Sequence, residues 1–416
     1  MRGLHAGAIV LVGVIAVNAG NYLFHLLAAR ELGPASYSDV VSLLALAGLI
    51  GLPLGGVQVV VARTVARLAA AGDTPGLRAF FRFGLGATTV VSIAVAVAVV
   101  ALSPVIQSSL GIGSLSAILV TGVLTVPALL TPIALGVAQG LQRFKLLSVS
   151  LAASTAVRLA ALVVVLALGF GITAVLVATL LGSLVALAVP LARLGDKLRG
   201  PSAGRPQLSQ RAVGTSLLPV VIGLLAITAL TTADVIVAKA VFDDHEAGIY
   251  GSASLVGRVI LYLPAAIVTV LLPKVSARAT RGEASGDILA ASVGVTVAAS
   301  ALLTLAYAAV PGTVVRLAFG SAFADASGLL YLFGIAMSGY ALLNVLLIYH
   351  LARNATAMSW LLLAGAVLQL GGYMLWHDSP RQLLAVSIAT MVALVVAHEV
   401  GVERSLTSAI GRLVRF

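Results

Sequence analysis

Apolar residues run through this chain in long blocks, and polar residues collect in the short gaps between them. A helix needs about 20 apolar residues to cross a hydrocarbon layer. Twelve blocks meet that length: 4–29, 39–62, 82–104, 114–141, 146–169, 172–193, 212–238, 248–273, 285–310, 324–351, 355–377 and 381–402. The run behind Met1-Arg2-Gly3 has the start of a signal peptide, but it stays mostly apolar to Ala29 and is interrupted by Asn18 and Asn21, which predicts a retained first span. One gap, 194–211, carries Asp196, Lys197, Arg199, Arg205 and two prolines, the composition of a linker. It divides the chain into an N-terminal six-helix bundle (1–193), a cytoplasmic linker (194–211) and a C-terminal six-helix bundle (212–416). The predicted fold class is all-α integral membrane.

Composition agrees. Of 416 residues, 60% are apolar and 9% charged, against about 25% charged in a soluble domain. With no cysteine, thiolate metal sites, disulfides and cysteine nucleophiles are excluded. The net charge of +11 would suggest nucleic acid in a soluble protein. Here it is a topology signal. With the N-terminus in the cytoplasm, 19 of the 25 lysines and arginines fall on the cytoplasmic side. Four fall outside (Arg30, Lys239, Arg316, Arg381) and two inside spans (Arg158, Arg258). That asymmetry follows the positive-inside rule, puts both termini in the cytoplasm and leaves no nucleic-acid footprint. Trp360 and Trp376 mark opposite ends of the eleventh span, as interfacial anchors do.

The two halves repeat. Leu52-Pro53 followed by Arg63 and Arg67 matches Leu263-Pro264 followed by Lys274 and Arg278 at an offset of 211. Tyr37 matches Tyr250, and Asn21 matches Asp234, at an offset of 213. A shift of six helices preserves orientation, so the halves are parallel repeats about a pseudo-two-fold axis along the membrane normal.

Ionisable groups at bilayer depth cost about 2.5–3.5 kcal/mol on insertion scales and usually face a cavity or a partner. Arg258 lies near the middle of the eighth span, on a stripe with Tyr250, Ser254 and Tyr262 at steps of four. A guanidinium between tyrosines suits a phosphate or a sugar; the plainer role is helix packing through carbonyls. Arg158 is as deep in the fifth span, with Ser154 and Thr155 one turn before it, and a structural pairing suits it equally. Asp234 is the clearest embedded acid; it would pair with Arg258 or bind a coupling proton or cation. Asn18, Asn21 and His25 share one face of the first span, with His25 placed near its outer end as an interfacial residue. Pro53 and Pro264 sit at equivalent places and predict kinks. Asp243-Asp244-His245-Glu246 has metal-ligand chemistry but falls in a short outer loop, where a solvated turn is expected. No metal or cofactor is expected, and the absence of GxxxxGK[ST] excludes direct ATP drive by this chain.

Several segments resemble a known family. Leu27 to Tyr37, with Arg30-Glu31-Leu32-Gly33-Pro34 at its centre, resembles the joint between the first two helices of the polysaccharide-transporter family, which contains the Wzx-type oligosaccharide flippases. Gly136-Val137-Ala138-Gln139-Gly140-Leu141-Gln142-Arg143-Phe144 resembles its fourth-to-fifth helix joint, and Gly248-Ile249-Tyr250 through Leu272-Pro273-Lys274 its eighth helix. The resemblance places the chain in the multidrug/oligosaccharidyl-lipid/polysaccharide exporter superfamily. It implies two six-helix bundles around a central, cationic cavity and alternating access. It further implies a bacterial inner-membrane protein that moves polyprenyl-diphosphate-linked glycans to the outer leaflet.

On that reading Arg258 binds the diphosphate with Arg158 in support. Asn18, Asn21, Tyr250 and Tyr262 meet sugar hydroxyls, and Asp234 holds and releases Arg258. The partners are a lipid-linked oligosaccharide, membrane lipids and a coupling proton or sodium ion. The alternative is a cation-coupled exporter of small organic molecules, which predicts a cavity biased towards acids. A glycan-processing enzyme would need a sizeable outer loop, and the longest outer connection, 311–323, is short.

Overall fold

The computed structural model describes residues 2–51, 55–198, 200, 210–261, 275, 278, 283, 285–403 and 406–407. Tyr262, Pro53 and Pro264, most of the linker 194–211 and most of the second half of the eighth span lie outside the described residues. The chain divides into two compact units, Met1–Leu217 and Leu218–Phe416. Among the described residues ten helical stretches are long and apolar enough to cross a membrane, and the first of them, Val17–Ala70, takes in the second half of the first predicted span and reaches through the second.

Unit one is built of α1 (Arg2–Gly51), α2 (Gly55–Ala70), α3 (Thr74–Ala101), α4 (Ser103–Leu110), α5 (Leu115–Gly140), α6 (Phe144–Ala167) and α7 (Ile172–Leu198). α1 is two helices joined without a loop. Gly33 stands at φ 70°, ψ 172°, and Pro34 follows it. The positive φ needs glycine, and proline is suited to a first helical turn because it has no N–H to leave unpaired. α3 begins earlier than the predicted span because Asp73 caps it: its Oδ1 accepts from the Gly76 N–H at 2.8 Å, with Pro75 in the first turn.

Unit two is built of α8 (Gln210–Val241), α9 (Asp244–Gly257), α10 (Gly286–Ala309), α11 (Pro311–Phe319), a 3₁₀ helix (Ser321–Leu329), α12 (Leu330–Ala352), α13 (Ala357–Leu375) and α14 (Pro380–Gly401). α8 begins before the division between the units and continues into unit two. The connection 311–323, read from sequence as a loop, is helical. Pro311 opens α11, and Gly320 at φ 90° ends it. The eighth span was expected to run as one helix from 248 to 273. Instead α9 caps at Arg258, and the Leu261 N–H turns back to the Arg258 carbonyl at 3.0 Å. The acidic loop has structural work: Asp243 accepts from the Glu246 N–H at 2.8 Å and so caps α9, and Asp244 pairs with Lys239.

The outward faces are apolar, with Val90, Leu302, Leu375 and Val400 largely exposed. In water such faces would aggregate; in hydrocarbon they are solvated. Lipid gives helices no hydrophobic reason to associate, so close backbone approach and polar bonds carry the packing. α5 shows this against α2. A Cβ on Gly136 would lie 2.8 Å from the Gln58 carbonyl oxygen, and one on Gly140 would lie 2.5 Å from that of Ala62. Beside them Gln58 Nε2 donates to Gln139 Oε1 at 3.0 Å. The glycines of the Gly136-to-Gly140 motif are therefore the seat of α2.

Gly140→Ala should lower the stability of purified protein by about 1–3 kcal/mol, read as a drop in unfolding temperature. Gly113→Ala, where a Cβ meets nothing within 4 Å, should leave it unchanged.

Candidate functional site

Each unit holds one polar constellation inside its apolar helices. In unit one α1, α6 and α7 approach closely. A Cβ on Gly20 would fall 2.2 Å from Thr155 Cγ2, and one on Gly182 would fall 2.8 Å from Arg158 Cβ. These contacts bring the Arg158 guanidinium against α1. Its Nη1 donates to Asn21 Oδ1 at 2.9 Å, and its carbon sits 3.6 Å from the centre of the Phe24 ring. The Nε is buried with no hydrogen-bond partner. Among the described residues no carboxylate forms an ion pair with Arg158. A neutral amide and an aromatic face therefore hold a cation whose remaining donors are available to an anion. Asn18 is half-buried one turn earlier on α1. His25 is half-buried, and its Nδ1 shares a 3.1 Å hydrogen bond with the hydroxyl of the fully buried Tyr37.

In unit two Asp234 on α8 is the centre. It is 2% exposed, too dry for an unanswered carboxylate. The Tyr250 hydroxyl donates to its Oδ2 at 3.1 Å, and Arg258 Nη2 donates to its Oδ1 at 3.4 Å. The expected stripe on α9 is real over Tyr250, Ser254 and Arg258: two of the three meet Asp234, and the Ser254 hydroxyl is buried with no partner. The Arg258 side chain keeps 17% of its surface accessible, and its Nε has no partner. The ion pair is long and has one open end.

Behind Asp234 lies a network that sequence reasoning missed. Gln369 Nε2 on α13 donates to the Leu230 carbonyl of α8 at 2.9 Å and to the Tyr373 hydroxyl at 2.7 Å. Tyr340 on α12 donates to Gln369 Oε1 and lies 3.0 Å from the Ser387 carbonyl, while the Tyr373 and Ser387 hydroxyls bond at 2.6 Å. The signal for it was present. Gln369 lies 211 residues after Arg158, the repeat offset already found for Leu52-Pro53. In unit one Arg158 of α6 bonds α1; in unit two Gln369 of α13 bonds α8. The repeat puts a cation in one unit and a neutral amide in the other, and an amide in one where the other has the acid Asp234. Sequence reasoning also passed over Asp39, which is buried in α1.

Apolar spans with embedded ionisable groups in two internally repeated units define a polytopic membrane protein. The family model described as "Polysaccharide biosynthesis protein" matches residues 4–278, and the chain belongs to this family. No curated protein matches it in sequence. Solved structures share the fold. An inward-facing multidrug resistance MATE family transporter of the MOP superfamily aligns at TM-score 0.73 and 15% identity, over 94% of this chain and 95% of its own. The outward-facing form of such a transporter gives 0.63 at 15% identity, over 98% and 95%. A MOP superfamily transporter from Pyrococcus furiosus Vc1, described as having a binding pocket of reverse polarity, gives 0.61 at 16% identity, over 99% and 94%. The protein thus shares the multi-pass, all-helical fold of these MATE transporters.

Removing one partner of a buried ion pair leaves the other uncompensated. Arg258→Ala should destabilise the protein by about 3–5 kcal/mol, and Asp234→Asn added to it should restore much of the loss. Thermal unfolding in detergent would show this as a double variant more stable than the single one.

Proposed function

We propose that this transporter is a flippase carrying a polyprenyl-diphosphate-linked oligosaccharide from the cytoplasmic to the outer leaflet by alternating access. It serves cell-surface polysaccharide synthesis in a bacterial inner membrane, with both termini cytoplasmic, and catalyses no covalent step. The observation that supports this most is Arg158, a cation at bilayer depth answered by an amide and a ring rather than by an acid. Such a group stays charged and stays available, and a diphosphate is the strongest partner it can meet.

The two arginines then have different parts. Arg158 is the first phosphate ligand, with Asn21 orienting it and Asn18 beside it for sugar hydroxyls. Within unit two, Arg258 is the group that an anion draws from Asp234, and Tyr250 keeps the freed carboxylate hydrogen-bonded. Tyr262, assigned to the same stripe from sequence, would extend the sugar contacts. A headgroup that draws Arg258 from Asp234 changes the charge pattern inside unit two, which gives loaded and empty forms different preferred conformations. The lipid tail stays in the bilayer throughout. The alternative, a cation-coupled exporter of small organic molecules, predicts a cavity biased towards acids, whereas Asp234 already accepts from two donors.

A strain lacking this gene should accumulate a polyprenyl-diphosphate oligosaccharide in its inner membrane, detected by lipid mass spectrometry. Complementation with Arg158→Lys should clear part of it and Arg158→Ala almost none, at matched protein levels. Full clearance by Arg158→Ala would remove the phosphate role. Normal glycans with raised drug susceptibility in the deletion strain would favour the exporter.

A further inference from the structure

Outside both constellations two imidazoles meet in unit two. His350 closes α12 and His398 lies near the end of α14. They are 2% and 0% exposed. Their Nε2 atoms are 2.9 Å apart, a hydrogen bond with one hydrogen in it. Each histidine also sits at the negative end of its helix. The His350 carbonyl accepts from the N–H groups of Arg353 and Ala355, and that of His398 from Val402 and Glu403. Helix C-termini favour positive charge on a nearby side chain.

The surrounding groups decide where the hydrogens lie. Glu403 Oε2 is 4.0 Å from His350 Nδ1, which favours an N–H there. A neutral His350 with hydrogen on Nδ1 has a bare Nε2, so it accepts, and His398 donates from Nε2. A neutral His398 with hydrogen on Nε2 carries a bare Nδ1, and that atom is buried with no partner. It is the one lone pair of the two rings left without a hydrogen or an acceptor role. Among the described residues the other ionisable groups around the pair are few. From α12 come Tyr349, packed edge-on against His350, and Arg353, which bonds Glu403 at 2.7 Å. From α14 and its exit come Glu399, engaged by Leu406 and Thr407, and Glu403. Ser285, ahead of α10, reaches the Tyr349 hydroxyl at 3.4 Å.

We infer that His350 and His398 form a one-proton binding site joining the ends of α12 and α14, and that the proton enters at His398 Nδ1. The ligand is a proton from water on that face, which on the orientation proposed above is the cytoplasm. With one proton the Nε2–H···Nε2 bond survives, and the charge is shared by the pair. A second proton is blocked, because it would set two N–H groups against each other at 2.9 Å. The added charge competes with Arg353 for Glu403, so occupancy of the site is felt where α14 ends. Nothing in this assignment depends on which substrate the transporter carries.

The test is solid-state NMR on the full-length protein with ¹⁵N-labelled histidine in lipid bilayers, taken from about pH 8 down to about pH 3, wide enough for buried imidazoles. The expected result is a nitrogen–nitrogen coupling between two histidine rings throughout, with a single Nδ1 of that pair passing from bare to protonated. His398→Gln keeps an N–H donor towards His350 and should abolish that transition. His350→Gln keeps an acceptor for His398 and should retain it. If His398→Gln fails to fold, the retained transition in His350→Gln and the coupling in the unmodified protein still decide. Loss of the transition in His350→Gln, two protons entering the pair, no coupling, no transition, or displacement of the shared hydrogen by added zinc would each overturn the assignment.

Discussion

A charge in hydrocarbon has to be answered by something within a few ångströms, and this structure gives two different answers to the same problem. Arg258 is answered by charge, through Asp234, with Tyr250 completing the carboxylate's shell. Arg158 is answered by dipole and quadrupole, through Asn21 and the Phe24 ring. The first arrangement is neutral when empty. The second stays cationic. Burying a cation this way is tolerable only if its contacts are tight, and the close approaches at Gly20 and Gly182 supply that. The rest of unit one follows from this need, because α1, α6 and α7 must meet at backbone distance to hold the guanidinium.

The same physics explains the scaffold. Helices in lipid gain little from burying apolar surface against one another, so small residues and amides fix their partners. Gly136, Gly140, Gln58 and Gln139 do this between α2 and α5. Tyr340, Gln369, Tyr373 and Ser387 do it in unit two, where every polar group of the network has a partner on a neighbouring helix or in its own. The repeat at 211 residues therefore carries more than helix count. It places Arg158 and Gln369 at matching points, and each ties its helix to the first helix of its unit, Arg158 as a cation on the Asn21 side chain and Gln369 as a neutral amide on the Leu230 carbonyl.

Much of this was legible in the sequence, and the reasons are specific. Apolar blocks of membrane length and a lopsided distribution of arginine set the fold class. Depth within a span marked Arg158, Arg258 and Asp234 as unusual, since charge there is costly. The pairing of Asp234 with Arg258 was within reach because both lie on adjacent spans. The pairing of Arg158 with Asn21 was not, because 137 residues separate them and spacing carries no information across such a gap. Sequence reasoning passed over His350 and His398, which lie near the ends of predicted spans, where polar residues are ordinary. The short α9 was hidden because a turn at Arg258 leaves no mark in an apolar run, and the helix in 311–323 because its Pro311 and Gly320 read equally well as loop residues.

The central claim is that the unpaired cation in unit one recognises a lipid-linked diphosphate. Equilibrium binding to purified protein in nanodiscs tests it directly, comparing one oligosaccharide on a polyprenyl diphosphate with the same sugar and tail joined without phosphate. The account predicts at least tenfold tighter binding of the diphosphate, equivalent to about 1.4 kcal/mol, and loss of that preference in Arg158→Ala. Equal affinity for the two lipids, or a preference that survives Arg158→Ala unchanged, would contradict it.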